Sequence, residues 1–159
     1  MASAAGAVDS PTSTGPSPSA VPSACALLQP SDLMAAFGGS VDAGDLTSAP
    51  NGGETICQWV VTAKNGNGFG AQLDVKTPFS TKAFAQQRRI ANGPTKTVKH
   101  LGDAAFSERA KVAGHVFDDL WVHEGKVAFR LEVLADLGTA PLERLAATVL
   151  TNLGSSAGH

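Results

Sequence analysis

From Thr55 to Ala63 the chain alternates between two sets of side chains, both partly apolar: Thr55, Cys57, Trp59, Val61 and Ala63 against Ile56, Gln58, Val60 and Thr62. A period of two with apolar residues in both sets predicts an interior strand. Asn65-Gly66-Asn67-Gly68 follows, and Asn and Gly accept the positive φ angles of a hairpin turn. On the returning strand Phe69, Ala71, Leu73 and Val75 share one face, while Gln72, Asp74 and Lys76 share the other. One side therefore meets a core and the other meets water. The pattern recurs in the second half, with strands near Ala104 to Ala110 and Val116 to His123, a tight turn at Glu124-Gly125, and Val127, Phe129, Leu131 and Val133 facing away from Arg130 and Glu132.

Helical spacing separates these runs. Pro30 suits a first turn, Leu33 and Phe37 lie four apart, and Gly38-Gly39 supply a stop. Ser80 is placed to cap a second helix, with Phe79 and Phe84 as a hydrophobic staple and Asn92-Gly93-Pro94 at its end. Leu142, Leu145, Ala146, Val149, Leu150 and Leu153 form an apolar stripe between Pro141 and Gly154, predicting the last helix. Residues 41–53 are turn-rich and predict at most one edge strand, around Val41 to Leu46. The expected class is antiparallel α+β: a sheet of about five or six strands with three helices packed on it.

Composition sets the domain organisation. The chain has 159 residues, of which 43% are hydrophobic, enough for one ordinary core. Ser, Pro, Ala and Gly dominate residues 1–24, a composition that cannot offset its chain entropy and predicts a disordered linker. Residues 25–154 form the expected domain, and 155–159 a disordered tail. The first 24 residues carry neither a basic n-region nor an apolar stretch, so an exported protein would appear here in its mature form, signal peptide removed and Met1 added as a start. No apolar run approaches the ~20 residues of a membrane span.

Net charge is −2, and no long run of Lys and Arg occurs, which argues against a nucleic-acid partner. Lys82, Arg88, Arg89, Lys96 and Lys99 do fall in one stretch without an acidic residue. Such a stretch is either a solvated face or a contact for an anionic polymer or lipid surface. The two cysteines, Cys25 and Cys57, read as a disulfide, as buried free thiols, or as a nucleophile with a spectator. In an exported chain the even count favours the bridge.

The run Cys25-Ala26-Leu27-Leu28, the stop at Phe37-Gly38-Gly39, then Cys57-Gln58-Trp59 and Leu101-Gly102-Asp103-Ala104-Ala105 occur in a familiar order. The chain resembles a family of actinobacterial secreted cell-envelope lipoproteins whose domain has no assigned function. The resemblance, spanning roughly Cys25 to Leu153, implies a structural cysteine pair and a lipidated cysteine ahead of a Ser/Pro-rich linker. The chain lacks that lipobox cysteine, so any membrane attachment is implied only through an anchor outside it.

Reactive motifs are few. GxSxG, HExxH, P-loop and EF-hand spacings are absent, and Gly66, Gly68 and Gly70 lie in strand pattern rather than at a helix start. His115, Asp118, Asp119, His123 and Glu124 cluster in sequence, but His115, Asp119 and His123 would be spread over roughly 13 Å of strand. No catalytic residue, metal or cofactor is therefore expected. Trp59 is expected on the disulfide in the core, and Trp121, His123, Arg88 and Arg89 as possible ligand or partner contacts. The favoured reading is a non-enzymatic extracytoplasmic domain that binds a small ligand or an envelope protein. The alternatives are a structural or inhibitory module acting through the 41–53 loop, and an enzyme with dispersed catalytic residues.

Overall fold

The computed structural model describes residues 20–156; most of the expected linker and the last three residues lie outside them. The fold begins before Cys25. Val21 packs on the core, and the Thr55 hydroxyl donates to the Pro22 carbonyl (2.6 Å) and accepts from the Ala24 N–H (3.1 Å). A single turn, α1 (Ala24–Leu27), leads into α2 (Pro30–Phe37), whose start is closed by a reciprocal capping box between Gln29 and Asp32. Two short strands follow, β1 (Ser40–Val41) and β2 (Asp45–Ser48).

The long hairpin is β3 (Glu54–Thr62) and β4 (Gly68–Lys76), followed by α3 (Thr81–Arg89). The second half runs β5 (Thr95–Val98), β6 (Ala104–Val112), β7 (His115–Glu124), β8 (Val127–Val133) and α4 (Ala140–Ser156). All neighbouring strands are antiparallel, in the order β1-β3-β4-β8-β7-β6-β5, with β2 also on β3. The two halves are joined where β8 pairs with β4.

The described residues thus hold eight strands and four helices, against the expected five or six and three. The additions are short or polar. β1 and β2 share the outer edge of β3 and are too brief to show a period, and β5, Thr-Lys-Thr-Val, carries one apolar residue. The 41–53 segment is therefore a sheet edge with a turn beyond Ser48, and Gly44 lies so close to Cys57 Sγ and Trp59 that a Cβ there would overlap both. α4 runs through Gly154 to Ser156, because Gly154 does not take the left-handed conformation with which glycine closes a helix.

Strand alternation builds two cores of unequal size. On one face Cys57, Trp59, Val61, Leu73, Val75, Leu120, Val122, Phe129 and Leu131 pack beneath α1, α2 and α4. The other face carries a small cluster of Phe84, Phe106, Trp121 and Ala128 with Phe79. The Cys25–Cys57 disulfide ties α1 to the middle of β3, with Cα atoms 5.1 Å apart and a separation of 32 positions in sequence. Trp59 lies in the same core, 4% exposed.

Closing a loop of that length stabilises the fold by about 3 to 4 kcal/mol in the chain-entropy model. The native protein should show no alkylatable thiol before reduction. The Cys25→Ala/Cys57→Ala variant should lose stability of this order in urea titrations, and equal midpoints for both proteins would contradict the assignment.

Candidate ligand-binding cleft

α3 is positioned from both ends. The Ser80 side chain accepts from the Ala83 N–H (3.1 Å), Phe79 packs beside Phe84 in the smaller cluster, and Arg88 reaches the neighbouring strand. Its Nε donates to Thr95 Oγ1 (3.2 Å) and its Nη1 to Thr97 Oγ1 (3.0 Å), while the guanidinium carbon lies 5.7 Å from the Phe106 ring centroid. The segment between β5 and β6 is fixed equally firmly. The Asp103 N–H donates to the His123 carbonyl, and the Asp103 carboxylate accepts from the Gly125 N–H (2.8 Å). Gly102, at φ +56°, sits where a Cβ would meet that same His123 oxygen at 2.5 Å, so only glycine fits.

Between α3 and this segment lies an open cleft of about 660 Å³. Phe84, Ala85, Leu101 and Phe106 give it an apolar lining, and Arg88, Arg89, Lys99 and His100 stand around it. Phe84 and Phe106 are 5.3 Å apart, and Phe106 stacks in turn on Trp121 at 6.2 Å and 13°. Among the described residues, Arg88, Arg89 and Lys99 have no carboxylate partner within ion-pair distance.

A second cleft, of about 650 Å³, lies across the sheet near the start of α4 and includes Lys96, Arg109, Lys111 and Asp118. Its arginine is already satisfied, since Arg109 pairs with Asp118 and Asp136. Asp118 also accepts the N–H groups of Leu137 and Gly138, which ties down the approach to α4. The basic stretch read in the sequence is therefore divided: Lys99 joins Arg88 and Arg89, whereas Lys96 faces the other cleft.

The four expected contact residues do not form one surface. Arg88 and Arg89 border the α3 cleft, but Trp121 and His123 are only 4% and 3% exposed and lie beneath it. Burial leaves the Trp121 ring with Lys76 Nζ and the Arg130 guanidinium each 5.6 Å from its centroid, and His123 Nε2 3.0 Å from the Phe79 carbonyl oxygen. His115, Asp119 and His123 share a face of β7 but are not gathered, and no group of metal-ligating side chains occurs among the described residues. Phe84, Phe106 and His100 were missed as cleft residues because only the fold brings α3 alongside β5 and β6. Their sequence signal was apolar patterning, which marks a core equally well.

Below the cleft, register sets polar residues side by side. Thr95, Glu108, Asp119, Glu132, Gln72 and Gln58 form one row across five successive pairings, with three carboxylates adjacent. Each is handled differently. Glu108 accepts the N–H groups of Asn92 and Gly93, Glu132 pairs with Arg130, and Asp119 accepts from Arg130 Nη2 at 3.0 Å. Asp119 Oδ1 and Arg130 Nε are buried without a partner. Burial pushes the Asp119 carboxyl up to about 7, against the lowering pull of Arg130, and burial likewise raises Asp74 against its hydrogen bond from Gln72.

No family model, curated protein or solved structure matches this chain.

The raised Asp119 carboxyl has a direct consequence for stability. The folded state binds this proton more tightly than the unfolded chain, so the contribution is fully present below about pH 4 and is lost as pH rises through about 7. Urea midpoints should fall between pH 5 and pH 8. Asp119→Asn, which keeps an oxygen for Arg130, should flatten that dependence and exceed the parent protein in stability at pH 8. A variant as pH-dependent as its parent would remove Asp119 as the cause.

Proposed function

We propose that this chain is a non-enzymatic, extracytoplasmic binding domain of a cell-envelope lipoprotein and that its ligand sits in the cleft between α3 and residues 99–105. The observation that carries the reading is the convergence of Arg88, Arg89 and Lys99 around one apolar hollow. Two of these cations come from a helix and one from beyond the next strand, and no carboxylate among the described residues neutralises them. A concave site of several hundred Å³ with an apolar lining and a few polar groups is the usual form of a small-molecule site.

Sulfur chemistry bears on the compartment. A disulfide persists in oxidising surroundings, which supports an extracytoplasmic location. No helix among the described residues is long and apolar enough to cross a membrane, and the envelope assignment draws on the lipoprotein resemblance. Binding rather than catalysis is supported by where the titratable groups lie. Asp119, Asp74 and His123 are buried in the sheet beneath α3 or beside it, and at the cleft Asp103 is turned toward the Gly125 N–H, which leaves Arg88, Arg89, Lys99 and His100 around the hollow.

Ala85 is exposed on α3 and borders the cleft, so Ala85→Trp should fill the hollow without disturbing the core. Native mass spectrometry of the full chain purified from envelope extracts should show a bound small molecule that the Ala85→Trp protein lacks. Equal occupancy in both proteins, or none in either, would overturn the assignment of the cleft.

A further inference from the structure

Resting on that reading of the cleft, the geometry points to a ligand class: we infer that the site takes a single-chain anionic amphiphile, with an alkyl chain against Phe84, Leu101 and Phe106 and a phosphate or carboxylate head held by Arg88, Arg89 and Lys99. The two halves of this ligand, chain and head, are indicated by independent features of the cleft. The lining between the cations is mostly apolar, and long cationic side chains carry methylene stems that can extend such a surface. A purely polar anion would leave that surface wet, and a purely apolar molecule would leave three cations unanswered.

The cations are also prepared for an anion. Arg88 is held in place by Thr95, Thr97 and the Phe106 ring, so its guanidinium is oriented before any ligand arrives. A fixed guanidinium fork matches the paired oxygens of a phosphate or carboxylate, and less side-chain entropy is lost on binding. Asp103, the acidic group bordering the cleft, is turned toward the Gly125 N–H. A volume of about 660 Å³ lies within the range of small-molecule sites and favours one chain over the two of a bilayer lipid.

Isothermal titration of the full chain, oxidised, with decyl phosphate, decanol and inorganic phosphate tests both halves. Decyl phosphate, kept below its micellar concentration, should bind at least tenfold more tightly than either of the others. Arg89→Ala/Lys99→Ala should weaken it about tenfold or more, and Ala85→Trp should abolish it, with the near-ultraviolet circular dichroism of both variants unchanged. Decanol binding as tightly as decyl phosphate would remove the anionic head from the proposal, and inorganic phosphate binding as tightly would remove the chain. Binding to anionic vesicles without binding to decyl phosphate would replace a ligand cleft with a membrane-facing surface. Decyl phosphate binding that survives Ala85→Trp would place the ligand elsewhere and overturn the cleft itself, whereas a neutral ligand lost in Ala85→Trp would spare the cleft and overturn only the ligand class.

Discussion

Alternation along β7 is the constraint on which the two faces depend. Leu120 and Val122 point into the large core beneath α4, so Asp119, Trp121 and His123 must point the other way. That second face has too few apolar residues for a full layer. It is closed locally by α3, whose Phe84 completes a short aromatic stack over Phe106 and Trp121, and elsewhere it carries charge. The cleft is the margin of this small layer, where α3 ends before the segment leading into β6 is covered.

The charged remainder is held at a cost. Directly opposed like charges on neighbouring strands repel, and Glu108, Asp119 and Glu132 are opposed in sequence across β6, β7 and β8. Arg130 lies one pairing away and answers two of the three, and backbone N–H groups answer the remaining one. Arg130 also flanks Trp121, so one guanidinium links the carboxylate row to the aromatic stack that floors the cleft. Cation–aromatic contacts of this kind contribute about 0.5 to 2 kcal/mol according to their burial. The aromatic stack and the row of acids are therefore one packed unit.

Much of this was legible in the chain because strand alternation is a local signal. The β3–β4 hairpin, the β6–β7–β8 run, the three longer helices and the class of fold follow from periodicity, turn residues and caps that act over a few positions. β1 and β2 were legible only as one edge strand around Val41 to Leu46 and β5 not at all, since a strand of two to four residues with a single apolar side chain is specified by its partner and not by its own pattern. The ends of the chain divide in the same way: Val21 to Ala24 look like linker by composition yet are held through Thr55, a contact more than 30 residues distant.

The candidate site was half legible for the same reason. Arg88 and Arg89 stand out as charges on a short helix, and near a helix C-terminus they would favour that end whatever else they did. Trp121 stands out as a rare aromatic, and in a strand it can face either water or a neighbour. What separates a binding residue from a packing residue in each case is the partner across space. Thr95 and Thr97 fix one arginine, Lys99 arrives from past β5, and Phe106 covers Trp121. Unpaired charge at the rim together with aromatic burial at the floor distinguishes this cleft from its counterpart across the sheet, where Arg109 is already neutralised by Asp118 and Asp136. Among the described residues, the counterpart keeps Lys96 and Lys111 without a carboxylate at ion-pair distance but has no aromatic side chain in its lining, so only the α3 cleft joins unpaired charge to an aromatic floor.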